Sequence, residues 1–177
     1  NTGPVLTIPA NGRLHNAQAN YKDLTDESML RFKSYGNNHS DEVIITQNEE
    51  ATTGYDAEFD AYKLYGINEA PQLYAIISDN VLSINTIPEI EEETVVELGF
   101  KVGIEGNYSI ILEEAIQMDN FDFILLEDMK DGSYTNLKEI PEYYFSASSE
   151  DDPHRFNLYF KDITTKVNDQ QTDNNRI

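Results

Sequence analysis

The chain contains no cysteine among its 177 residues, which removes disulfide staples, thiolate nucleophiles and cysteine-based metal sites. Without disulfides to read, the redox compartment stays open, and the composition fits an exported chain as well as a cytosolic one. Tryptophan is also absent, and with it the largest aromatic platform for stacking a ligand ring. Cationic residues are scarce: 12 Lys and Arg stand against 33 Asp and Glu, for a formal charge of −21 and a pI near 4.2. Phosphate binding needs clustered cations, so this surface repels nucleic acid and anionic lipid. The plainest role of the acidity is solubility, and the sharper ones are adaptation to salty surroundings or attraction of divalent cations. No stretch approaches the ~20 apolar residues of a membrane-crossing helix, so no membrane insertion is expected. There is no GxSxG nucleophile elbow. The three histidines, His15, His39 and His154, are isolated and lack paired metal-ligand spacing.

What is present is a succession of short apolar runs with a period of two. Val96, Leu98, Phe100 and Val102 alternate with Glu97, Gly99 and Lys101, which places four apolar side chains on one face of a strand. Gly103 and Gly106 break the run, and Tyr108, Ile110 and Leu112 resume it, so residues 98–112 read as a β-hairpin. Residues 123–126, apolar on both faces, suit an interior strand. Leu30 and Phe32 alternate with Arg31 and Lys33, Gly36-Asn37-Asn38 turns the chain, and Val43 and Ile45 lie on the return, which predicts a second hairpin over 29–47. Residues 72–78 and 81–85 form a third around Asp79-Asn80. Strands are also expected at 5–8, 133–137, 143–147 and 156–161, the last two paired across SSEDDPHR.

Nine or more short strands at regular spacing, without a βαβ pattern, indicate an all-β fold, expected here as a two-sheet antiparallel β-sandwich of jelly-roll or Ig-like type. One module is assigned to residues 1–163. Residues 164–177 lose apolar rhythm and fill with Asn, Asp and Gln, the composition of a disordered linker. Because the chain opens on Asn1 in a strand-like segment, it is expected to be a module or mature fragment of something longer.

The ordered series GYDAEFDAYKLYG, APQLYAIISDN, LSINTIPE, ETVVELGFKVGIEGNYSI, FILLEDMKDGSYTNL and YYFSASSEDDPHRFNLYF resembles a β-sandwich module of exported Bacteroidetes proteins. That module lies just ahead of the C-terminal sorting domain of the type IX secretion system. The resemblance implies export across the outer membrane, display or release at the cell surface, an upstream domain of the same polypeptide bearing an enzyme or adhesin region, and a following sorting domain. It does not imply a catalytic site in this module, and no cofactor is expected to be required.

Two sets of residues carry the candidate chemistry, both in the acidic and aromatic loop at 49–66. Asp56, Glu58 and Asp60 lie two apart, as in the first half of a calcium loop, and calcium is the metal that hard oxygen ligands at this spacing would take. Ala61 and Ile67 stand where such a loop has glycine and glutamate; in an extended segment the three acids simply form a solvated face. Tyr55, Tyr62 and Tyr65 are the candidates for polysaccharide stacking, with Tyr143, Tyr144 and Tyr159 as further tyrosines expected at the surface. The alternative for each is ordinary packing across strands. Paired carboxylates of the glycoside-hydrolase kind carry no signal, because among 33 acids some will fall about 5 to 10 Å apart by abundance alone. The expected role is therefore a non-catalytic accessory or spacer module, then a carbohydrate- or surface-binding module, and last a hydrolase.

Overall fold

The computed structural model of the chain describes residues 28–162. The strand expected at 5–8 and the linker expected at 164–177 lie outside the described residues. Within them are eleven strands: β1 (Met29–Gly36), β2 (His39–Gln47), β3 (Ala61–Tyr62), β4 (Gln72–Ile77), β5 (Asn80–Ile87), β6 (Val95–Lys101), β7 (Gly106–Ile116), β8 (Phe123–Asp128), β9 (Ser133–Asn136), β10 (Glu142–Ala147) and β11 (His154–Lys161). The fold is all-β, with no helix among the described residues.

Hydrogen bonding runs through one continuous sheet in the order β10-β7-β1-β2-β5-β4-β6-β11-β8-β9, with β3 attached to β5. The sheet is mixed, because β2 and β5 run parallel while the other pairs are antiparallel. It curls until it is nearly closed into a barrel. This differs from the expected pair of separate, purely antiparallel sheets. Alternation fixes which side chains face inward, but not which strands share hydrogen bonds.

Several turns follow directly from local chemistry. Asn37 and Asn38 both adopt positive φ, 50° and 60°, and Gly36 pairs with His39 across them. This is the two-residue primed turn that matches strand twist and suits asparagine. Ser78, at φ 53°, opens the β4–β5 turn, and Ile77 pairs with Asn80, so the turn is Ser78-Asp79, one residue earlier than expected. Gly99 lies beneath the ring of Tyr74, its partner in the β4–β6 register. A Cβ there would meet that ring at 2.0 Å, so glycine permits the close approach of ring to backbone.

Two expected hairpins are absent. β6 pairs with β4 and β11, and β7 pairs with β1 and β10, so the connection at 102–105 crosses the barrel instead of reversing within the sheet. Phe100 of β6 and Tyr108 of β7 then meet edge to face at 5.5 Å. Likewise β10 and β11 lie on different neighbours. The alternating faces do point inward as expected: Leu30, Phe32, Val43, Ile45, Leu98, Phe100, Phe156, Leu158 and Phe160 are all buried in one core.

Candidate functional site

The loop at 49–66 is built around its acids. The Asp56 carboxylate accepts from the Thr52 amide at 2.5 Å, and the Asp56 amide donates to Asp60 at 2.8 Å. Asp60 also accepts from the Thr86 amide at 2.7 Å, which ties the loop to β5. Both carboxylates therefore satisfy backbone donors of their own loop and its neighbour, while Glu58 is exposed. Among the described residues no group of three or more His, Cys, Asp and Glu side chains is arranged to hold a metal ion.

Lys63 points the other way and is buried against Asp41 of β2, whose carboxylate also accepts from the Leu73 amide at 2.7 Å. Gln72 fixes the far end, accepting from the Gly66 amide at 2.9 Å and donating to the Ile67 and Ala70 carbonyls. With Lys63 turned inward, Tyr62, Leu64, Tyr65 and Ile67 are left outward, at 51%, 87%, 53% and 56% exposure. Tyr55 differs from its expected partners. It packs against the core and stacks beneath Tyr62 at 4.5 Å, so it supports that ring and is not itself a surface platform. Tyr65 packs edge-on to Tyr74 at 5.9 Å.

A second polar cluster lies where the two ends of the sheet approach. Arg155 of β11 binds Asp128 of β8 through Nη2 at 2.8 Å and Nε at 3.0 Å, with both side chains almost wholly buried. Arg155 also donates to the Ser146 carbonyl of β10 at 2.8 Å and to Asp151 at 3.3 Å. Its guanidinium lies over Phe145 and Phe156, 4.5 and 5.3 Å from the ring centres. Tyr143 of β10 donates to Asp128 at 3.1 Å and meets Ser133 of β9 at 3.1 Å. One cation thus joins β8 to β10, and Tyr143 adds β9. This places Tyr143 in the seam, whereas Tyr144 beside it is 70% exposed.

Residues 14–160 match a family described as Domain of unknown function (DUF8693). The chain belongs to that family. No curated protein and no solved structure matches the chain. The DUF8693 match spans all eleven strands but the last residue of β11, so the loop anchors and the seam cluster both fall inside it.

Outside the seam, Glu127 accepts from Tyr134, from Tyr159 at 2.7 Å and from Asn157 at 3.0 Å. These bonds, Tyr134 first, hold its carboxyl below the usual value of 4.5. Because the folded value is depressed, the contribution to stability is present above about pH 4.5 and is lost as pH falls through the folded value. The difference in urea midpoint between wild type and Glu127→Gln is therefore expected to be constant near neutrality and to close in acid. A difference that grows on acidification would contradict this assignment. The group is largely solvated, so the effect is small.

Sequence reasoning missed Asp41, Lys63, Asp128, Tyr143 and Arg155 as a set. Asp41, Asp128, Tyr143 and Arg155 lie in or near the expected strands and Lys63 in the 49–66 loop, but the partners are 15 to 27 positions apart in the chain. The one available signal was charge set directly against apolar residues: Arg155 precedes Phe156, and Asp128 closes the run FILLED.

Proposed function

We propose that the chain is a non-catalytic accessory module, a rigid spacer in an exported protein displayed or released at the outer cell surface. In this reading it stands between an upstream domain of the same polypeptide and a following sorting domain, and it requires no cofactor. The carrying observation is the buried seam cluster of Arg155, Asp128 and Tyr143, which fastens the ends of a sheet that would otherwise offer two open edges. The ordered motifs described above supply the export context. We also read the curled sheet as sandwich-like, of jelly-roll or Ig type; the contact of Phe100 with Tyr108 from opposite walls supports two facing layers.

The fixed outward row of Tyr62, Leu64, Tyr65 and Ile67 favours a second reading, a carbohydrate- or surface-binding module, since grouped exposed apolar side chains mark contact surfaces. Affinity electrophoresis against plant and algal polysaccharides, with calcium and again with EDTA, separates the two. The spacer migrates unretarded in every gel. Retardation that Tyr62→Ala with Tyr65→Ala abolishes establishes the binding module instead. Retardation that EDTA abolishes brings calcium and Asp56, Glu58 and Asp60 into the site.

A further inference from the structure

β10 ends the hydrogen-bonding order on one side, and the phase of its ladder shows which backbone groups are engaged. The Leu112 amide donates to the Pro141 carbonyl at 2.8 Å, and the register continues as Glu142 with Ile111, Tyr143 with Ile110 and Tyr144 with Ser109. Bonded and non-bonded pairs alternate along an antiparallel ladder. Tyr143 and Phe145 therefore bond to β7, while the N–H and C=O groups of Glu142, Tyr144 and Ser146 point away from it. The two-residue turn at Gly36–His39, carried through β1 and β7, gives the same phase. Among the described residues no strand pairs with β10 on its outer side. Arg155 holds the Ser146 carbonyl, and the Tyr143 hydroxyl reaches Ser133 and Asp128. The seam thus fastens β10 through side chains and leaves the backbone edge of Glu142 and Tyr144 open. Tyr144 itself is 70% exposed on the solvent face.

We infer that β10 pairs with β10 of a second copy of this chain, antiparallel about a two-fold axis at Tyr143. An open strand edge is a template for another strand, and this one is self-complementary. With the axis at Tyr143, Glu142 lies opposite Tyr144 of the second copy and Tyr144 opposite its Glu142. Each such pair exchanges two backbone bonds, which uses the N–H and C=O of both residues in both copies. An axis at Tyr144 would instead set Glu142 against Ser146, whose carbonyl Arg155 already holds. The side chains agree with the first register: the Tyr144 hydroxyl is a donor facing a carboxylate, and the two Glu142 side chains are not opposite each other. The formal charge of −21 on each copy opposes the approach, so salt promotes the pairing by screening it. The spacer reading does not depend on this pairing, and a monomeric spacer would leave that reading intact.

The test is sedimentation velocity of the full chain over a concentration series at low and high salt, with amide hydrogen exchange at the two ends of the series. A monomer–dimer equilibrium is expected, shifted toward dimer by salt, with the Glu142 and Tyr144 amides exchanging more slowly as dimer forms. Tyr144→Pro removes an N–H that points away from β7, a place where an edge strand tolerates proline. It is expected to weaken the dimer at least about tenfold, since it deletes one backbone bond from each copy. Tyr144→Glu keeps the backbone, changes an exposed side chain and sets an acid opposite Glu142; it is expected to weaken the dimer as well and replaces Tyr144→Pro should that variant not fold. A chain that stays monomeric throughout, a dimer whose Glu142 and Tyr144 amides exchange as in the monomer, or a dimer undiminished in the variant that folds would each overturn the inference.

Discussion

Arg155→Met is expected to destabilise the protein by about 3–5 kcal/mol, the usual cost of removing one partner from a buried ion pair. Set against the ~5–15 kcal/mol that holds a typical domain folded, this is a large fraction. The magnitude follows from what remains. Asp128, 1% exposed, would keep only the Tyr143 hydroxyl and the Lys130 amide as donors, at 3.1 and 3.0 Å, and its charge would face the rings that the guanidinium now covers. The attraction between Arg155 and Asp128 is not itself worth that sum, because both ions lose their hydration on burial. Asp128→Leu added to Arg155→Met is therefore expected to recover much of the loss, whereas an additive double variant would contradict the pairing. Urea unfolding followed by circular dichroism measures all three proteins.

Phe156→Ala is expected to cost a similar ~3–5 kcal/mol, the range for truncating a buried phenylalanine to alanine. Its ring is fully buried and sits among Phe145 at 5.1 Å, Tyr143 at 6.2 Å and Phe100 at 6.3 Å. These neighbours come from strands held by backbone hydrogen bonds, so they cannot collapse into the space. Phe156→Leu refills most of the volume and should cost under about 1.5 kcal/mol. Phe156 also lies beneath Arg155. Truncating it loosens the guanidinium, and the two substitutions are expected to couple by about 0.5–3 kcal/mol in a double-mutant cycle. A coupling of zero would show that the aromatic cluster and the ion pair hold the seam independently.

Among the described residues the strands other than β3 were legible in the sequence and their neighbours largely were not. Leu30 and Phe32, or Leu98 and Phe100, announce an inward face by alternation alone, and Asn37-Asn38 announces its turn. Nothing in that periodicity distinguishes a hairpin from a crossing, so β6 and β7 read as partners although they face each other across the core. The parallel pairing of β2 with β5 was equally silent, since its contacts join residues 40 apart, Ile44 with Ile84. At the 49–66 loop Tyr62 and Tyr65 face out as their residue type suggests, and Tyr55 does not. Asp56 and Asp60 satisfy backbone amides, Tyr55 supports Tyr62, and Lys63 is the residue that decides which side chains face out. The ion pair of its buried ammonium with the partly exposed Asp41 of β2 fixes that direction from outside the loop.

Amide hydrogen exchange of β10 tests most directly whether the sheet is a closed, rigid unit. β10 is an end strand in the hydrogen-bonding order, and an unfastened end strand opens locally far more readily than the core. With the seam closed by Arg155, Asp128 and Tyr143, the β10 amides bonded to β7 are expected to exchange as slowly as those of β4 and β6. In Arg155→Met they should become selectively faster. Fast exchange of β10 in the wild-type protein, with β4 and β6 still protected, would contradict the closed module and the spacer role built on it.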